Sequence, residues 1–587
     1  VVRMYHRIEN HGTCPQTIDY VSTFNYTGIE KEGLKPEDEK LRLWIPHNGW
    51  QRELNWKKYS LRDLGLDLVQ DKAIQRSSNH FHVSNTGNWS AKEYLPMAYL
   101  ENRETGSSLY WQIEHNGSWH WEIGDQNGHL YLALGGPNEL YSHWFKTLKQ
   151  GESFTTVPVA VGVSAKGFDD SMAALTRYRR LIRRKNRDNE TCRIIFNDYM
   201  NCLFADPTTE KELPLIDEAA RAGCEYFCID AGWYAKGFWW DAVGEWIGSR
   251  ERFPNGIREV TDYIRSKGMI PGIWLELEVM GINCELAGKL PDDWFFTRHG
   301  KRVYDRSRYQ LDYRNPEVRK YATSVIDRLI RDYGIGYIKM DYNIEPGIGT
   351  EYQAENPGEG LLEHERAYLK WLDGIFEKYP ELVIENCSSG GLRMDYAMLS
   401  RYSIQSTSDE EDYRYYATIA ANAPSGLTAD EAAVWSYPLP QGDREEVVFN
   451  MVNAMLLRVH QSGHLNVLSQ ERKDLVKEGL DYYKKIRHDI KEAVPFWPLG
   501  LSQFNDEWVS LGLRAENKIY LAVWRRSGSQ RQMSLPLSLS QEEKEKIQIR
   551  LAYPSYSTSS FAWNPAAGTL TVELENENMA RLFEITL

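Results

Sequence analysis

The chain has 587 residues, too many for one hydrophobic core, so several domains are expected. Apolar residues make up 42% and charged residues 26%, which excludes a largely disordered chain; no apolar run reaches eighteen residues, which excludes a membrane-spanning helix. With 69 Lys and Arg against 83 Asp and Glu, the net charge of -14 argues against nucleic acid as the main partner.

Residues 1–168 hold short runs rich in aromatic and β-branched residues, such as SLYWQIEH, SWHWEIG and TTVPVAVGV, separated by NG, GS and GG turn signals. That pattern predicts an N-terminal β-sandwich. A linker helix is expected over 169–190, acidic at its start and basic at its end, with its arginines read as a solvated face. From 191 to 492, short apolar runs (RIIFNDY, YFCIDAGW, IPGIWLELE, GYIKMDY, LVIENCSS, YSIQSTSD) alternate with helical stretches. Strand and helix in alternation over 300 residues predict a parallel (β/α)8 barrel, with six clear units and two weaker ones near EAAVWSYP and NMVNAMLLRVHQSG. Residues 493–587 return to short strands and are expected to form an antiparallel β-domain. The predicted fold is thus multidomain, a TIM barrel flanked by β-domains.

Seven cysteines, few and odd in number, make no disulfide framework, and Cys224 and Cys228 lack further ligands at zinc spacing. This usage favours the cytoplasm, although a first residue other than Met leaves a removed segment open. The 12% of aromatics, with 20 Trp and 35 Tyr, fits either sugar-stacking surfaces or β-rich cores.

Several barrel runs end in polar residues: Asn197 and Asp198, Asp230, Glu276 and Glu278, Asp341, Glu385 and Cys387, Asp409. Active sites of this fold lie at those strand ends. Carboxylates among aromatics suit cleavage of a glycosidic bond, where one group attacks or stabilises the anomeric carbon and another protonates the leaving oxygen. Lys339 and Asp341, two residues apart, share one side of a strand. They read either as catalytic equipment or as a core ion pair. His299, His364, His460 and His464 have no spacing that converges on a metal, so neither metal nor cofactor is expected.

In order, GYIKMDYN (336–343), IENCSSGGLRMDY (384–396) and IQSTSDEEDY (404–413) resemble the Lys-x-Asp-x-Asn, Cys-Ser-Ser-Gly-Gly-x-Arg and Ser-Asp-x-x-Asp patterns of glycoside hydrolase family 36, the α-galactosidases. IDAGWY, VGEWIGSRERFPNG, PGIWLELEVM and RYQLDYRNPEV resemble further family motifs, so the likeness spans residues 190–440. It implies a retaining exo-glycosidase acting on an α-galactoside, with Asp341 as nucleophile and Asp409 as acid/base, Asp412 being the runner-up. It also implies substrate contacts from Asp230, Trp274, Arg308, Lys339, Asn343, Cys387, Gly390, Arg393 and Tyr199. Asn343 is expected to orient the nucleophile and Lys339 to sit near Asp341. Trp274 is either an apolar wall or barrel core, and Arg308 either a donor or an exposed residue before a helix. Trp239, Trp240 and Trp246 are either wall or loop packing.

The chain departs from the family pattern at Ala231, the second position of an Asp doublet, and at Tyr199 and Thr407, where the family has Trp; Glu245 stands for Asp. These departures touch specificity, so a 2-acetamido or 2-amino galactoside is the alternative substrate. Transglycosylation, or sugar binding without catalysis, are the other readings, and the resemblance implies a homo-oligomer.

Overall fold

The computed structural model describes residues 1–67, 79–126, 128–557 and 559–587. The N-terminal part is a six-stranded antiparallel sheet packed on a four-stranded one. Their facing sides share one core, in which Trp111 and Trp121 meet edge to face at 5.3 Å between ring centroids. The edge of the larger sheet is a long hairpin, Leu41–Gly49 and Arg52–Ser60. Alternating side chains let this hairpin bury Leu43, Ile45 and Trp56 while its tip projects toward the barrel.

Helix Gly167–Ile182 carries the chain into the barrel. Its Arg179 is 1% exposed and donates from Nε to Gln112 Oε1 of the large sheet (2.9 Å). The same guanidinium donates from Nη1 to the carbonyl of Ser425 in the barrel (3.1 Å).

Eight parallel strands close the barrel: Ile195–Asn197, Tyr226–Ile229, Ile270–Leu275, Tyr337–Met340, Val383–Asn386, Ile404–Ser406, Ala432–Ser436 and Arg458–Gln461. The last pairs with the first, Ile195 opposite His460. Helices cover the outside and the barrel interior is filled, so these strands are buried nearly throughout. Tyr226, Cys228, Tyr337, Val383 and Ile404 fill part of the interior. The two weaker units supply the seventh and eighth strands. Asn315 caps helix Pro316–Tyr333 by accepting from Glu317 N (2.9 Å), and Gly334, at φ 66°, ends it in a left-handed conformation that suits glycine.

Two further antiparallel sheets, of five and three strands, close the C-terminal part. All seven cysteines are free. Among the described residues no helix is long and apolar enough to cross a membrane.

Candidate active site

The C-terminal ends of the barrel strands surround a cavity of about 410 Å³. Asp230 follows the second strand, Lys339 lies on the fourth with Asp341 directly after it, and Asp409 follows the sixth. All four line the cavity, together with Tyr199 and Asn343. Trp239, Trp240 and Trp274 form a wall, and Ala231 adds a small apolar patch.

The Asp341 carboxylate is 8% exposed and held by three donors. Trp274 Nε1 donates to Oδ2 (3.0 Å); the backbone N–H groups of Tyr342 (2.8 Å) and Ser389 (3.3 Å) donate to Oδ1. One carboxylate oxygen is thereby tied to the wall and the other to backbone, which fixes the side chain in its rotamer.

Asp409 meets a different setting. Burial pushes its pKa up to about 6, with Lys339 opposing that rise and Asp341 adding to it. A carboxyl poised there holds a proton in mildly acidic solution and can give it up. Asp412 stands outside the cavity. It caps helix Tyr413–Gly426 by accepting from Arg414 N (2.9 Å), and the Arg414 guanidinium beside it holds its carboxyl below the usual range.

Lys339 pairs with Asp230, not with Asp341. Its Nζ is 2.9 Å from Asp230 Oδ2, which also accepts from Asn197 Nδ2 (2.6 Å), while Ala231 N donates to Oδ1 (2.8 Å). The ammonium thus spans from the fourth strand to the residue that follows the second, while the Asp341 carboxylate lies close enough to act on it electrostatically. Lys339 also lies 5.6 Å from the Tyr199 ring centroid and 5.1 Å from that of Trp435, which surround a buried cation with π density.

A family model described as Melibiase matches residues 153–492, more than half of the chain. The chain belongs to the melibiase family. Alpha-galactosidase AgaA of Geobacillus stearothermophilus is 28% identical over 391 residues, which cover 62% of this chain and 51% of that protein. Alpha-galactosidase 1 of Pediococcus pentosaceus is 28% identical over 345 residues, 56% of this chain and 46% of that protein. The chain spans about half the length of the curated relatives it matches. The crystal structure of the GH36 enzyme AgaA superposes with a TM-score of 0.84 at 19% identity, over 99% of this chain and 78% of that one. A form of AgaA in complex with raffinose gives 0.85 at 18% identity over the same shares. That likeness shows a shared fold, the barrel between antiparallel sheets.

Within this melibiase-family chain the remaining expected residues divide. Arg308 lies behind the Trp239–Trp240 wall, not in the cavity and not exposed before a helix. It is fully buried, paired with Glu276 (2.5 Å), donating to the carbonyl of Trp240 (2.9 Å) with its guanidinium 3.8 Å from that ring. Its neighbour Arg306 lines the cavity instead, because the turn Arg306–Ser307, with φ of 47° and 65°, reverses the chain between two short antiparallel strands. Arg393 is likewise sealed away, bonded to Glu278 through both terminal nitrogens (2.6 and 3.1 Å). Asn343 does not touch Asp341. Its Oδ1 accepts from the N–H (3.1 Å) and hydroxyl (2.6 Å) of Ser389, so it orients the loop that in turn bonds the carboxylate.

Cys387 is buried off the cavity, and burial pushes its thiol pKa well up. Gly390, at φ 79°, allows a close backbone approach: a Cβ there would sit 2.8 Å from Ser408 Cα and Asp409 N. Trp246 packs behind Trp274, at 5.9 Å, so it belongs to packing while Trp239 and Trp240 belong to the wall. Thr407 is fully buried and donates to the carbonyl of Ala433 (2.7 Å), away from the cavity.

Sequence reading missed Trp50, Trp89 and Ser389, all of which line the cavity. Trp89 donates from Nε1 to the carbonyl of Tyr342 (3.1 Å) and lies 5.0 Å from the Arg306 guanidinium. Its only signal was membership of an aromatic-rich segment. A larger open groove, of about 1340 Å³, lies along the connecting helix. Arg180 and Arg183 there face Asp430 at 3.3 and 2.5 Å, so its basic groups are partly engaged already and it contains no strand-end carboxylate.

Proposed function

We propose that the chain is a retaining exo-glycosidase that removes a terminal α-linked galactose, with Asp341 as nucleophile and Asp409 as acid/base. The reading is carried by one observation: two carboxyls open into the same aromatic-walled cavity in opposite settings, one pinned by three donors and the other desolvated with a raised pKa. The curated relatives named alpha-galactosidases support the choice of sugar.

In the first step an Asp341 oxygen bonds to the anomeric carbon as the bond to the leaving oxygen breaks, and Asp409 gives its proton to that oxygen. In the second step the Asp409 carboxylate takes a proton from water. The water oxygen displaces Asp341 from the same carbon, and two inversions leave the α-anomer. Lys339 and Asp230 stand where they can donate to and accept from the sugar hydroxyls, and the Trp wall covers an apolar face of the ring.

Ala231 in the lining favours a second reading. The small Ala231 stands beside Asp230 where the family pattern has a second Asp, which suits a sugar other than plain galactose. Hydrolysis of nitrophenyl α-glycosides of galactose, N-acetylgalactosamine, galactosamine, arabinopyranose and glucose decides between them. Proton NMR of the first product should show the α-anomer before mutarotation. A β-anomer appearing first would overturn the double displacement, and transfer to added sucrose in preference to water would make the chain a transglycosylase.

A further inference from the structure

The tip of the N-terminal hairpin is a two-residue turn, Trp50–Gln51, closed by the Gly49–Arg52 pair. Four consecutive or nearby side chains of this tip bind the segments that surround Asp409. Asn48 Nδ2 donates to the carbonyl of Gly391 (3.0 Å), and Gln51 Nε2 to the carbonyl of Asp409 (3.0 Å). Arg52 Nη1 donates to Glu410 Oε2 (2.7 Å), and Trp50 Nε1 to Asp409 Oδ2 (3.2 Å). Gln51 takes a left-handed φ of 57° to make this reach. Trp50 lines the cavity yet remains 57% exposed, whereas Trp89 and Trp274 beside it are buried. Its single donor is committed to the Asp409 carboxyl while much of its ring stays open.

We propose that Trp50 is a working part of the site: its indole N–H holds the Asp409 carboxyl in place, and its open face is the platform for the leaving group, a second sugar ring. The proposal rests on Asp409 being the acid/base. An acid must touch the glycosidic oxygen, so the atoms on the far side of that oxygen lie next to Asp409. The residue that shares the Asp409 carboxyl therefore flanks the leaving group. A flat indole matches the apolar face of a pyranose.

The groups that act on Asp409 come from several elements: Lys339, Asp341 and Asp230 from the barrel strands, with Tyr199, Cys387 and Tyr416 around them, and Glu53 from the hairpin itself. Among these, the indole favours the ionised carboxylate, because an N–H donated to an anion stabilises it. Losing the indole N–H leaves the proton held more tightly.

The test compares raffinose, whose leaving group is a sugar that needs a proton, with α-galactosyl fluoride, whose leaving group needs neither proton nor platform. In the full chain, Trp50→Phe keeps a ring and removes the donor. Its alkaline limb of kcat/KM on raffinose should move up by about 0.5–1 pH unit, the worth of one hydrogen bond of about 1 kcal/mol. Trp50→Ala should lower the raffinose-to-fluoride ratio of kcat/KM about tenfold or more, mostly through KM for raffinose. Equal losses on both substrates, or an unmoved pH limb in Trp50→Phe, would overturn the proposal and leave Trp50 as scaffold. Asp409→Ala is run alongside. If that variant retains the wild-type ratio, the acid/base assignment itself fails, a result distinct from failure of Trp50 alone.

Discussion

Two carboxylate-rich layers lie on either side of Tyr342, and they differ in almost everything but residue type. On one side, Asp341, Asp409 and Asp230 open into a cavity with a single ammonium among them. On the other, Arg393 stacks 4.7 Å from the Tyr342 ring and joins Glu278 and Glu365, while Arg314 pairs with Asp312 at 2.6 Å. Those groups are nearly all buried, with Arg393 and Glu278 about 1% exposed. His364 belongs to this second layer: its Nδ1 is 3.0 Å from Tyr313 N and its Nε2 faces Glu278, 3.6 Å away, and against the lowering effect of burial the carboxylates around it push its pKa up to about 9. The open layer keeps acceptor capacity and faces a space that can admit a sugar. The sealed layer spends its charges on each other. A buried ion-pair network adds little net stability but is costly to break, so its work is to fix the loops that carry the open layer.

The comparison can be broken at its open side first. Asp341→Asn should lower kcat by about ten-thousandfold or more, because an amide cannot form the glycosyl ester, with a thermal midpoint close to that of the parent. Steady-state kinetics and a melting curve on one preparation check both halves. Next in size, Asp409→Ala should cost about a thousandfold on raffinose and much less on an activated nitrophenyl substrate. Azide should restore the activated reaction and yield a galactosyl azide. On the proposed assignment, a raffinose reaction of the parent needs Asp409 protonated. Its kcat/KM should therefore be high below about pH 6 and fall as pH rises through that value. A rescue seen with Asp412→Ala and absent from Asp409→Ala would move the assignment along the loop.

The sealed side predicts loss of a different kind. Arg393→Met leaves Glu278 buried without its partner and should cost about 3–5 kcal/mol of stability in denaturant unfolding. Whatever folds should retain the pH profile of the parent. A shifted profile would instead make Arg393 part of the open layer. The smallest change is Trp274→Phe, which keeps an aromatic wall and removes one donor from Asp341. A loss of about ten- to fiftyfold in kcat, with KM nearly constant, is expected for a hydrogen bond to a charged acceptor.

The barrel and its flanking sheets were legible because buried parallel strands read as apolar runs, and their polar ends stand out at the point where pairing stops. Asp230, Asp341 and Asp409 were visible for that reason, and Lys339 by its place two residues before Asp341. The seventh and eighth strands were harder to see, since the helices between them, such as Arg444–Met455, are buried nearly all round and lose the amphipathic contrast that marks a helix. Arg308 and Arg306 show a second limit. Two arginines two residues apart would share a face in a regular strand, but the left-handed turn at Arg306–Ser307 sends one to the cavity and the other behind its wall. Lys339 shows a third. Strand periodicity gave its side but not its partner, Asp230, which follows a different strand more than a hundred residues away in sequence. Trp50 and Trp89 lie some 250 to 360 residues from the groups they bond, and no local pattern carries contacts across that distance.

Arg179 gives the sheets and the barrel a common fate. One buried guanidinium is shared between Gln112 and Ser425, so pulling the two regions apart breaks hydrogen bonds on both sides of it. The two should therefore melt in a single transition, not in sequence. Exchange of the barrel into another protein would then have to carry the large sheet with it, because both the Arg179 joint and the hairpin tip bond the barrel directly.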